Sequence, residues 1–111
     1  MNGREVFKHA VRRFPEVIKE CLTYNNIDVS DIDLVVPHQA NYRITKSVQE
    51  YLKIDKSKVF SNIHNYGNTT AASIGIALSE AVENKRVNDD NLVMLASFGA
   101  GWYWASLLMR W

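Results

Sequence analysis

Apolar residues recur at three- and four-residue spacing through Phe7, Val11, Phe14, Ile18, Cys21 and Leu22, the pattern of an amphipathic helix. Pro15 falls inside that stripe. A proline within a helix removes a backbone hydrogen bond and crowds the preceding turn, so the pattern predicts two helices or a kink near Arg13. Asn25 and Asn26, which tolerate the left-handed conformation of a helix end, close the segment. Ile32-Asp33-Leu34-Val35-Val36 then reads as a short buried strand, and Pro37 pushes the residue before it towards extended geometry. From Asn41 to Leu52 a second helix places Ile44, Val48, Tyr51 and Leu52 on one face. Arg43, Lys46, Gln49, Glu50 and Lys53 take the other, a pattern that suits a solvated helix face. Val59-Phe60-Ser61-Asn62-Ile63 predicts a second strand.

Gly67-Asn68-Thr69-Thr70 leads into a third helix, Ala71 to Val82, that is apolar nearly all round. Such a helix is expected between layers, not on a surface. Leu92 to Ser97 and Trp102 to Trp111 predict two strands joined by the turn Phe98-Gly99-Ala100-Gly101, close enough to pair antiparallel. The order α-β-α-β-α-β-β implies a layered α/β domain with a mixed, mostly parallel sheet and an antiparallel edge.

Composition narrows the function. With 111 residues the chain suits one domain, 1–111, that buries a core without disulfides or metal. Thirteen Lys and Arg against twelve Asp and Glu leave no basic excess, which argues against nucleic acid as a partner. A single cysteine excludes an internal disulfide framework and a cysteine zinc cluster. The N-terminal residues lack a signal-peptide pattern, and the longest mostly apolar stretch, Phe98 to Met109, is too short to span a bilayer. The expectation is a soluble, cytoplasmic protein.

In sheets of this kind ligands bind beyond the carboxyl ends of the strands. Three loops leave strand ends here: Pro37 to Asn41, Asn65 to Thr69, and Phe98 to Gly101. The topology brings them to one sheet edge, where His38, Asn68 and the backbone at Gly99–Gly101 converge. A neutral imidazole and an amide aimed at one carbonyl oxygen stabilise an enolate or a tetrahedral oxyanion, each donor by roughly 3–4 kcal/mol. That set suits acyl transfer or carbon–carbon condensation. Each residue also has a plainer role: Asn68 and Thr69 as helix caps, His38 as a loop histidine, Gly99 and Gly101 as turn formers. His9 and His64 lack the spacing of a metal site. Cys21 lies on the apolar stripe and reads as an inert core residue. Ser73 falls inside the third helix, where its hydroxyl is expected to bond a backbone carbonyl. A hydrolase with His38 as base therefore lacks a nucleophile.

Val36-Pro37-His38-Gln39-Ala40-Asn41-Tyr42-Arg43-Ile44, then Tyr66-Gly67-Asn68-Thr69-Thr70-Ala71-Ala72-Ser73, then Ser97-Phe98-Gly99-Ala100-Gly101-Trp102, closely resemble the ketoacyl-acyl-carrier-protein synthase III family. The opening Met1 to Lys8 is similar to that family's mid-chain segment. The resemblance runs over the whole chain and implies the C-terminal half of a thiolase-like fold. In that family a cysteine of the N-terminal half attacks an acyl-CoA, and the acyl-enzyme condenses with malonyl-acyl-carrier-protein, losing carbon dioxide. By this resemblance His38 and Asn68 are the catalytic donors to the enolate, and the backbone N–H of Ala100 belongs to the oxyanion hole. Phe7, Ala40 and Asn41 line the pantetheine tunnel, and Arg43 with Lys8 meets the acyl-carrier protein. It further implies no cofactor beyond the CoA and carrier thioesters, no metal, and a homodimer when full-length.

His64-Asn65 replaces an Asp-Arg pair common in the family, and Glu50 and Tyr51 stand where some members carry lysines. The nucleophile belongs to the half not contained here, and Cys21 is wrongly placed to replace it. The expectation is a fragment, inactive alone, that completes its site with the N-terminal half. The bare face of its third helix would then promote self-association. The other readings are a stand-alone domain that binds CoA or carrier protein without turnover, and half of a related condensing enzyme of secondary metabolism.

Overall fold

The apolar stripe of the first segment builds one continuous helix, α1 (Gly3–Tyr24), so of the two outcomes expected near Arg13, two helices or a kink, the chain does not form two helices. The computed structural model describes residues 3–99 and 102–111. Pro15 is buried in α1 beside Phe14, Val17 and Ile18. A proline inside a helix costs about 3 kcal/mol. Burying one Phe or Ile side chain returns about 1.5–3 kcal/mol, so Phe14 and Ile18 together offset it. Asn26 adopts φ +56°, and the bonds Ile27 N–H to Leu22 O and Asn26 N–H to Thr23 O close α1 in a Schellman motif.

Strand β1 (Leu34–Pro37) is buried along its whole length. It pairs in parallel with β2 (Leu92–Gly99), from Leu34 opposite Val93 to Pro37 opposite Ala96. β2 pairs antiparallel with β3 (Tyr103–Arg110), giving the order β1-β2-β3. The strand predicted at Val59–Ile63 is reduced to a single parallel bridge between Val59 and Val35. The next bond of that ladder would run from residue 37 to Phe60 O, and Pro37 has no N–H to give. The side chain of Gln39 takes over instead, its amide donating to Phe60 O and accepting from Asn62 N–H. The chain then turns into the short helix α3 (Ile63–Tyr66).

Alternation along the strands divides the core between the two faces of the sheet. Val35, Met94 and Ala96 face α1 and α2 (Tyr42–Leu52), packing with Phe14, Ile18 and Val48. Leu34, Val36 and Val93 face α4 (Ser73–Glu83), through Ala77 and Ala81. The result is three layers, α/β/α, with the mixed sheet in the middle. Beyond the buried row Ser73, Ala77 and Ala81, α4 presents half-buried Ile74, Ile76 and Leu78 and exposed Val82. No helix is long and apolar enough to cross a membrane among the described residues.

Phe14 joins α1 to the sheet, 1% exposed and with its ring 6.3 Å from that of Phe98. Phe14→Ala is expected to cost about 3–5 kcal/mol in urea unfolding with an unchanged denaturant slope. A loss below about 1 kcal/mol would show that the domain does not depend on this contact.

Candidate functional site

β1 ends at Pro37, and the next backbone N–H, that of His38, continues the ladder by donating to Ala96 O at 2.8 Å. His38 is therefore fixed directly at the sheet edge. It borders a cavity of about 510 Å³. Val6, Ala10 and Phe14 of α1 form its apolar wall, and Phe98 and Gly99 at the end of β2 close one side. Ala40, Asn68, Thr70 and Ser97 also line it. The predicted convergence is thus seen for His38, Asn68 and Gly99, while Ala100 and Gly101 lie outside the described residues.

His38 is half-buried, and its Nδ1 stands 2.6 Å from Ser73 Oγ. The same Oγ accepts the backbone N–H of Gln39 at 2.9 Å. Ser73 does not bond a carbonyl of its own helix, as the sequence suggests, but spans 35 residues to the end of β1. Burial holds the pKa of His38 below its ordinary 6.5, so the ring is neutral at pH 7. A neutral imidazole is the form that can donate one ring N–H without carrying charge.

Asn68 is exposed, and its Oδ1 accepts the N–H of Thr70 at 2.9 Å. That bond assigns the oxygen and leaves the Nδ2 donors without a partner among the described residues. Thr70 adopts φ +51°, a strained conformation for a β-branched residue, in the turn before α4. The capping expected of Asn68 is present as this side-chain turn, whereas Thr69 makes no side-chain cap.

A second cavity, of about 660 Å³, is lined by Gly3, Arg4, Phe7, Lys8, Asn41 and Arg43. The structure thus divides the predicted tunnel residues, with Ala40 at the first cavity and Phe7 and Asn41 at the second. Lys8 and Arg43 stand together there, with Arg43 over the Phe7 ring at 5.3 Å. Among the described residues that line this space are three cations, Arg4, Lys8 and Arg43. Asn41 Oδ1 caps α2 by accepting Arg43 N–H at 2.8 Å.

Elsewhere, Cys21 packs partly buried against the core and Asn25 Nδ2 approaches its sulfur at 3.7 Å. His9 lies against Trp102, ring centroids 4.1 Å apart. No cluster of His, Cys, Asp and Glu could hold a metal among the described residues. Gln39 and Ser73 are the residues that reading the sequence for chemistry misses. The signal for Ser73 lies in the row Ser73, Ala77, Ala81, where one hydroxyl interrupts the small apolar face of a buried helix.

Residues 22–111 match the family model described as 3-oxoacyl-[acyl-carrier-protein (ACP)] synthase III C terminal. The whole chain is 49% identical to part of the beta-ketoacyl-[acyl-carrier-protein] synthase III of Microcystis aeruginosa and 46% identical to part of that of Porphyra umbilicalis. It covers 33% and 34% of those proteins, so it spans about a third of their length. The crystal structure of 3-oxoacyl-[acyl-carrier-protein] synthase III from Aquifex aeolicus superimposes with a TM-score of 0.98 at 46% identity, over all of this chain and 36% of that one.

A histidine whose pKa is lower folded than unfolded gives its full support to folding above the unfolded value. That support is lost as pH falls through 6.5 towards the lower folded value, because the unfolded chain binds the proton more tightly. Urea-unfolding free energies measured from about pH 7.5 to 5.5 are expected to fall, and to fall less in His38→Gln. Equal slopes in the two proteins would contradict a neutral, buried His38.

Proposed function

Because the chain belongs to the 3-oxoacyl-[acyl-carrier-protein] synthase III family, over that family's C-terminal part, we propose that it forms the C-terminal catalytic half of a condensing acyltransferase. The observation that carries this reading is the pair His38 and Asn68, an imidazole held towards its neutral form and an amide whose donors have no partner among the described residues, bordering one largely apolar cavity. A cysteine in a part not contained in these 111 residues takes the acyl group from acyl-CoA as a thioester, releasing CoA. Malonyl-acyl-carrier-protein then loses carbon dioxide, and the electron pair of the broken C–C bond delocalises onto the thioester oxygen. His38 and Asn68 donate hydrogen bonds to that oxygen as its charge grows. The enolate carbon attacks the acyl-cysteine carbonyl, the backbone N–H of Ala100 stabilises the resulting oxyanion, and the cysteine thiolate leaves. The 3-oxoacyl product initiates fatty acid synthesis.

An apolar cavity strengthens both donors, since little water competes for the oxygen. Ala40, Phe7 and Asn41 form walls for the pantetheine arm along the two cavities. Lys8 and Arg43, at the second cavity, face the acidic carrier protein. The thioesters are substrates, and the reaction asks for no resident cofactor. Without the cysteine-bearing part the chain turns nothing over.

A chimeric synthase in which these residues replace the matching part of the Aquifex aeolicus enzyme tests the reading. It is expected to form 3-oxoacyl-carrier product from acetyl-CoA and malonyl-carrier protein, while the isolated chain forms none. His38→Ala and Asn68→Ala should each lower kcat by about 10²–10³-fold. Arg43→Glu should raise KM for the carrier roughly fivefold with kcat retained. A folded, active chimera whose rate is unchanged by His38→Ala would overturn the assignment.

A further inference from the structure

The 2.6 Å contact between His38 Nδ1 and Ser73 Oγ contains one proton that either group could supply. Ser73 Oγ has two partners among the described residues, this ring nitrogen and the N–H of Gln39. If Nδ1–H donated to Oγ, the serine's own proton would have no acceptor among the described residues, on a residue only 1% exposed. If the hydroxyl donates to Nδ1, the serine proton has its acceptor, and Nδ1, Oγ and the Gln39 N–H are all paired. A buried donor without an acceptor is the costlier arrangement. A hydroxyl that accepts from an amide while donating to a ring nitrogen is also strengthened by both bonds at once.

We propose that Ser73 is a positioning residue whose hydroxyl donates to Nδ1 and fixes His38 as the Nε2–H tautomer. The only ring N–H then lies on the side of the imidazole away from Ser73, free for a ligand oxygen in the cavity. This deepens the functional reading above and rests on it for its purpose: the opposite tautomer would present a lone pair at Nε2 and repel a developing oxyanion. The start of α4 makes the contact possible. Small side chains at Ala77 and Ala81 seat the helix against the sheet, and Ser73, one and two turns before them in the same row, reaches the end of β1.

Nitrogen-15 NMR of the chain, with its histidines labelled, reads the tautomer at about pH 7.5 without any condensing activity. His38 is expected to show a protonated, pyrrole-type Nε2 and a bare, pyridine-type Nδ1. A protonated Nδ1, or two averaged nitrogens, in the unsubstituted chain would overturn the proposal even if no variant folds. Ser73→Ala should average the two nitrogen signals, and Ser73→Thr, which keeps the hydroxyl, should restore the single tautomer. A folded Ser73→Ala chain that keeps the pure Nε2–H form would also overturn it. An inactive chimera beside a pure Nε2–H tautomer would count against the condensing reading and support the role of Ser73.

Discussion

The cavity depends on the buried side chain of Gln39. At 2% exposure it donates to Pro37 O at 2.7 Å and to Phe60 O at 3.3 Å, and accepts Asn62 N–H at 3.0 Å. Its own backbone N–H meets Ser73. One residue thus joins the end of β1, the segment that leads towards Asn68, and the first turn of α4. Each of these buried groups, left unpaired, would cost about 1–3 kcal/mol. The network therefore cannot be loosened at one bond without loss at the others. His38, the residue just before Gln39, inherits a fixed position from it.

This constraint explains how a short domain builds a site from loops without leaving them loose. The imidazole is tied by its backbone to β2 and by its ring to α4. Asn68 is tied by its oxygen to Thr70, in a turn strained enough to need such support. Charge is kept apart from these donors. The cavity that His38 borders is lined by uncharged residues, while Arg4, Lys8 and Arg43 collect at the neighbouring one. An uncharged surrounding favours the neutral ring and strengthens its hydrogen bonds.

Local pattern made most of the elements legible. The three-four spacing found α1 and α2, Asn26 and Asn41 marked helix ends, and the short turn after Phe98 announced the β2–β3 pair. Two elements were misread for physical reasons that a local pattern does not contain. Pro15 does not split α1 because long-range burial of Phe14 and Ile18 outweighs a local penalty. Val59–Ile63 has strand-like residues, but its partner strand ends in Pro37, which has no N–H for Phe60 O, and the Gln39 side chain pairs with that segment instead. The site shows the same division. Motifs pointed to His38 and Asn68, yet the hydroxyl that orders the imidazole comes from Ser73, whose partner is visible only once the sheet and α4 are packed.

The central claim is that the cavity beside His38 and Asn68 accepts a thioester at the end of a pantetheine arm. Titrating the nitrogen-15-labelled chain with acetyl-pantetheine, followed by amide and side-chain NMR, tests it most directly. The account predicts shifts that grow with ligand and cluster at His38, Ala40, Asn68 and Phe98, with a second group at Phe7 and Asn41. A well-folded chain whose shifts lie away from both cavities, or that shows none at saturating ligand, would contradict it.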